Sequence, residues 1–127
     1  MIDTLQFPIT QVAKSRIKEL DMDNVQFGKS YSDHMFMADY VDGQWKDLRI
    51  VPYGNLSMSP ANTTLHYGQS IFEGMKAYKA ENGDVLVFRP DKNADRLNKS
   101  AVRMCIPEIP EEMFMSALTE LLKLDRD

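Results

Sequence analysis

The sequence predicts an α+β fold: an antiparallel sheet built from hairpins at about 34–51 and 75–89, with two carboxy-terminal helices, at about 91–105 and 110–124, packed on it. Two turn dipeptides, Asp42-Gly43 and Asn82-Gly83, each stand between strand-forming runs. Beyond Asp91 the apolar residues recur at helical spacing, and Pro107 and Pro110 divide that pattern into two helices.

Residues 1–24 form a lead-in. Ile9, Val12, Ala13, Ile17 and Leu20 fit one helical stripe, with Lys14, Arg16, Lys18 and Glu19 off it, although an extended segment across a sheet would use the same apolar residues. The helix is the expectation taken here. Residues 25–127 read as the domain proper. Met35 to Val41 is apolar on both faces except at Asp39, as in a strand covered on two sides, and Asp39 needs a partner if buried. Gln44 to Val51 is the return strand. Pro52, Gly54 and Pro60 punctuate a long loop, and Leu65 to Tyr78 reads as a loop-to-strand passage dense in aromatics.

Met75 to Ala80 and Val85 to Phe88 form the second hairpin, where Asn-Gly suits a turn with positive φ at both central residues. In the first helix Ala94, Leu97, Ala101, Met104 and Cys105 make the apolar stripe, beside a polar stripe of Asn93, Arg96, Ser100 and Arg103. The second helix opens with Glu111 and Glu112, where the macrodipole favours carboxylates, and its buried face is Phe114, Ala117, Leu118 and Leu121.

A chain of 127 residues fits one domain with a single core. A net charge of −4 argues against nucleic acid as a partner, although a local basic pocket for one phosphate is compatible with it. One cysteine allows no internal disulfide, and no apolar run approaches the length of a membrane span. The expectation is a cytoplasmic chain without membrane contact. Its nine methionines suit an adaptable core or an apolar pocket equally well.

Few residues stand out for chemistry. Gly68-Gln69-Ser70-Ile71-Phe72 approaches the nucleophile-elbow pattern but ends in phenylalanine and leads into a hairpin, which argues against a serine hydrolase. His34 and His66 have no metal-ligand spacing and read as hydrogen-bonded structural residues. Cys105 reads as part of a buried helix face. Asp33, Asp39 and Glu73 are carboxylates without an evident catalytic mate. Arg96 follows a helix start whose N–H groups, with Arg89 close by, suit a phosphate or carboxylate. A solvated helix arginine is the ordinary alternative. Phe27, Tyr40, Tyr67, Phe72 and Tyr78 are able to line a pocket, and core packing is the ordinary role for each.

The order of several segments carries more than spacing does. Phe27-Gly28-Lys29-Ser30-Tyr31-Ser32-Asp33-His34-Met35, Pro52-Tyr53-Gly54, Ser59-Pro60-Ala61 and Leu65-His66-Tyr67-Gly68-Gln69 occur in that order. Phe72-Glu73-Gly74-Met75-Lys76-Ala77-Tyr78, Phe88-Arg89-Pro90, Asn93, Arg96 and Ser100-Ala101-Val102-Arg103-Met104 follow. Together, over roughly residues 25–124, they resemble the amino-terminal part of branched-chain amino acid aminotransferases, fold type IV enzymes dependent on pyridoxal 5'-phosphate.

The resemblance implies transfer of the amino group of leucine, isoleucine or valine to 2-oxoglutarate. It implies that Arg96 binds the cofactor phosphate, that Phe27, Tyr67 and Phe72 wall the pocket for the branched side chain, and that Gly74 lies beside it. Apolar walls discriminate weakly among the three substrates, a methylene being worth about 1–3 kcal/mol. The family's Schiff-base lysine matches no lysine of this chain, and it lies further along in a large domain. The 127 residues are therefore expected to be an incomplete small domain, inactive alone, with an unpaired sheet edge that favours a homo-oligomer. No catalytic residue and no metal site is expected in the chain. Other type IV enzymes, a D-amino acid aminotransferase or aminodeoxychorismate lyase, are the nearest alternative. A stand-alone, non-catalytic binding domain is the other.

Overall fold

The computed structural model describes residues 5–21 and 23–126. They form two compact units, residues 5 and 55–118 in one, residues 6–54 and 119–126 in the other.

The second of these is built on a hairpin of β1 (His34–Val41) and β2 (Gln44–Pro52), which pair antiparallel. Asp42 and Gly43 both take positive φ, +54° and +76°, the mirror-image turn whose twist matches that of the strands. Met37 faces Arg49 while Asp39 faces Lys46, so β2 carries one extra residue, with Asp47 at φ +51°. Arg49 closes this bulge by donating from Nη1 to Asp39 Oδ2 at 2.8 Å and to the Asp47 carbonyl at 2.6 Å. Asp39 thus finds a partner and remains exposed. β1 is not covered on both faces, since Tyr40 and Val41 lie open and Met35 to Ala38 are half-buried.

The lead-in corrects the helical expectation. Ile9 pairs in parallel with the fully buried Ile50 of β2, the Ile50 N–H donating to the Pro8 carbonyl and the Thr10 N–H to the Ile50 carbonyl, both at 2.9 Å. Pro8 biases the residue before it toward extended backbone, and the edge of β2 offers hydrogen bonds that a helix would otherwise have to supply internally. Among the described residues of this stretch the only helical piece is a 3-10 turn, Ile17–Glu19. Positions 1–4 and 22 of the expected helix lie outside the described residues.

His34 closes the unit. The Val12 N–H can only donate, so His34 Nε2 accepts it at 3.1 Å, and the ring proton sits on Nδ1, 2.6 Å from Asp125 Oδ1. The His34 N–H takes the other carboxylate oxygen at 2.9 Å.

The first unit begins with an element that the sequence reading took for loop. α1 (Thr63–Tyr67) is capped by Asn62, whose Oδ1 accepts the Thr64 N–H at 2.8 Å, and it ends at Gly68. β3 (Ala77–Lys79) and β4 (Val85–Val87) form a hairpin shorter than the expected 75–89, and it is a two-stranded sheet separate from that of β1 and β2. Its turn also differs from expectation. Only Gly83 has positive φ, Ala80 donates to the Asp84 carbonyl at 2.8 Å, and three residues form the loop. The Asn82 side chain holds the Asp84 N–H at 3.0 Å, which favours this longer turn over a two-residue one.

α2 (Pro90–Arg103) has proline at its first position, where the missing N–H has no consequence, and buries Ala94, Leu97 and Ala101. It stops earlier than 105. Cys105 sits at φ +53°, with its N–H on the Val102 carbonyl and the Ile106 N–H on that of Ala101, a Schellman closure. Cys105 is consequently exposed, not part of a buried face, and Met104 is only partly covered. α3 (Glu111–Leu124) buries Met113, Ser116 and Ala117. Phe114, Leu118 and Leu121 are half-buried, because the stripe centres on Ser116, whose hydroxyl accepts the Leu5 N–H at 3.0 Å. Asn98 pins the link between the helices, bonding both the N–H and the carbonyl of Ile109 at 2.8 Å. The α+β assignment stands. No described helix is long and apolar enough to cross a membrane.

Candidate functional site

The site forms where the irregular chain before β3 meets the first turns of α2. Gln69 donates to the Met104 carbonyl at 2.8 Å, and Thr64 Oγ1 donates to the Gln69 carbonyl at 2.9 Å, which fixes the chain beyond α1. On α2, Asn93 and Arg96 lie three residues apart and therefore on one face. Both reach Glu73. Arg96 donates from Nε to Glu73 Oε2 at 2.8 Å and from Nη2 to Oε1. Asn93 Nδ2 donates to the same Oε1 at 3.1 Å and to the Gly74 carbonyl at 3.2 Å, and the Gly74 N–H reaches Oε1 at 2.9 Å.

Electrostatics follow from this geometry. Hydrogen bonding from Arg96, helped by Asn93 and the Gly74 N–H, holds the Glu73 carboxyl down at about 2. Arg96 is pushed further up by the same carboxylate. The Glu73 side chain is 7% exposed and that of Arg96 66%, so the pair is open on the arginine side alone. Nη1 takes no part in the clamp. Arg96 also lines a surface hollow of about 170 Å³ with Phe88, Arg89, Lys92 and Asn93. Three cationic side chains around one hollow suit a phosphate group, and Lys92 is itself flanked by Asp91 and Asp95 at 3.4 and 3.0 Å.

Of the residues selected from sequence, Arg96 and Gly74 come together in this cluster. Tyr67 and Phe72 belong to the same unit and stand 84% and 90% exposed. Phe27 belongs to the other unit and is fully exposed. The sequence names no partner for Arg96, and the structure gives it Glu73, 23 residues upstream. The signal present was the Asn93/Arg96 stripe, which names a face but not its partner. His66 bonds the Pro60 carbonyl and His34 is saturated as above, so both histidines are structural. A larger hollow of about 400 Å³ lies beside His34 in the other unit. Its charged groups are already paired, Arg16 with Asp33, His34 with Asp125 and Lys14 with Glu19 at its margin. Among the described residues no cluster of His, Cys, Asp and Glu suits a metal ion.

On this α+β fold, then, a loop carboxylate holds a helix arginine whose outer side stays open, an arrangement with the charge to suit an anion. Comparison with known proteins finds likeness to one kind of enzyme. The chain is 46% identical over 125 residues, 98% of its length, to branched-chain-amino-acid aminotransferase 2 of Bacillus subtilis. It is 45% identical over 117 residues, 91% of its length, to branched-chain-amino-acid aminotransferase of Mycolicibacterium smegmatis, and 45% over 108 residues to branched-chain-amino-acid transaminase 1 of Bacillus subtilis. The chain therefore corresponds to the amino-terminal part of enzymes of this name, and it spans about a third of their length. No protein-family model matches it.

Proposed function

We propose that the chain serves as the amino-terminal, small-domain portion of a pyridoxal-phosphate-dependent transaminase that moves the amino group of leucine, isoleucine or valine to 2-oxoglutarate in the cytoplasm. The observation that carries this reading is Arg96, clamped at one guanidinium edge and exposed at the other beside Arg89 and Lys92. Likeness in sequence to enzymes named for this activity supports it.

Bound pyridoxal phosphate supplies the electron sink that transamination needs. The residues of this chain bind and exclude. Arg96 neutralises the cofactor phosphate with a planar pair of N–H donors. Phe27, Tyr67 and Phe72 offer apolar, water-excluding surface to the branched side chain, and Gly74 leaves room beside it. The lysine that carries the proton lies outside these roles, so activity belongs to the whole polypeptide, and a homo-oligomer is its working form.

Purified whole, that polypeptide develops Schiff-base absorbance with pyridoxal phosphate and transaminates the three branched substrates. Arg96→Ala weakens cofactor retention about 10- to 100-fold, a hydrogen bond to a charged group being worth about 1.5–3 kcal/mol. Unchanged retention in that variant would overturn the phosphate role.

A further inference from the structure

We propose that Glu73 is a positioning residue: it immobilises the Arg96 guanidinium so that its outer edge is presented to the phosphate of the cofactor. The proposal rests on the reading of Arg96 as the phosphate ligand and adds a residue to it. Glu73 binds no substrate. It acts through Arg96.

Three observations lead here. The clamp is two-pronged, Nε to Oε2 and Nη2 to Oε1, which fixes both the direction and the plane of the guanidinium. It uses one edge of a five-donor group and leaves Nη1 outside. Glu73 is itself fixed, because its side chain is covered and Oε1 accepts from Asn93 and from the Gly74 N–H as well as from Arg96. A long side chain on an exposed helix face samples many rotamers, and ordering it opposes ligand binding. An arginine already held avoids that opposition. The same segment carries Phe72 and Gly74 on either side of Glu73, so the residue that aims the phosphate ligand is continuous with the proposed substrate wall.

Charge and positioning make opposite predictions for Glu73→Gln. A carboxylate near a phosphate repels it, so if Glu73 were only a nearby charge, its removal would strengthen binding. If it positions Arg96, removal weakens binding. Pyridoxal phosphate is titrated into the whole polypeptide and followed by phosphorus NMR, with the Arg96 Nε–H resonance recorded in parallel. The expected result is about tenfold weaker binding in Glu73→Gln, and loss of a slowly exchanging Nε–H signal that is present in the parent chain. Asn93→Leu keeps both charges and removes the amide that holds the Glu73 carboxylate and the Gly74 carbonyl, and it is expected to weaken binding about threefold.

Binding that holds or strengthens in Glu73→Gln while Arg96→Ala weakens it overturns the positioning role and leaves the phosphate role intact. An Nε–H signal equally protected with and without Glu73 also overturns it. Equal binding by Arg96→Ala and the parent chain removes the phosphate role, and the positioning role with it.

Discussion

Each unit contains an acid–base pair that joins residues distant in sequence, His34 with Asp125 in one and Glu73 with Arg96 in the other, and these two pairs differ in one respect. In the β1–β2 unit, His34 and Asp125 are both covered, at 5% and 13% exposure, and three hydrogen bonds satisfy the two ring nitrogens and both carboxylate oxygens. In the other unit, Glu73 is covered but Arg96 is 66% exposed, and one edge of its guanidinium stays outside the pair. The first arrangement leaves nothing with which to bind a ligand. The second holds a cation in place and leaves one edge of it open. Large exposed rings do not follow this division: Tyr67, Phe72 and Phe88 stand open in the unit of the open pair, and Phe27 stands fully open in the other. Solitary exposed apolar residues are ordinary, whereas several large rings in one region mark a surface that meets something else.

The largest effect available is to break the closed pair. His34→Leu leaves the Val12 N–H without an acceptor and takes one donor from a mostly covered carboxylate. The expected loss is about 3 kcal/mol, the range for unsatisfied buried groups where one is charged. Trp45, the single tryptophan, lies on β2 with its ring 5.1 Å from that of Tyr40, and its fluorescence reports this unit in a urea titration. A midpoint unchanged within error would mean that the pair is not what ties the lead-in and residue 125 to β1.

The difference between the pairs also explains what was legible in the sequence. Turn dipeptides and helical periodicity are local, and they placed both hairpins and both long helices within a few residues. The Asn82-Gly83 turn type escaped because a side-chain bond from Asn82 to the Asp84 N–H decided it, and α1 escaped because a single capped turn has almost no periodicity to read. The lead-in was misread because its apolar spacing suits a helix, while the deciding partner, the edge of β2, lies some 40 residues away. Both acid–base pairs join positions that no spacing rule connects. Arg96 drew notice by its place in a polar stripe and by motif order, yet Glu73, which gives it a fixed direction, was visible in the sequence only as an unassigned carboxylate.

Acid offers a milder way to open the second pair. The folded-state pKa of Glu73 is held at about 2, below its ordinary 4.5. A depressed carboxylate contributes fully above its unfolded value, and the contribution fades as pH falls through the folded one. The clamp is therefore intact from neutral pH down to about 4.5 and is lost toward pH 2. Carbon NMR of the Glu73 carboxyl is expected to show no titration between pH 5 and 8. Any pH dependence of anion binding in that range then belongs to the phosphate, whose second ionisation lies near 6. A Glu73 midpoint at or above 4.5 would show that the pair is not formed in solution.

The smallest effect concerns the far end of the helix that carries Arg96. Cys105 occupies the left-handed position of the Schellman closure, at φ +53°, where glycine is the usual residue. A β-carbon there is disfavoured by about 1–2 kcal/mol. Glycine removes that strain but gives the unfolded chain more freedom, which returns about 0.4–1 kcal/mol. The side chain is exposed, so no packing is lost in the exchange. Cys105→Gly is accordingly expected to stabilise the carboxy-terminal turn of α2 by about 0.5 kcal/mol, read as slower amide exchange at Met104 and Ile106. Because Arg96 lies two turns upstream and its clamp is made through Glu73, anion binding should not change. A change in binding in that variant would mean that the hold on Arg96 depends on the closure of its helix as well as on the carboxylate.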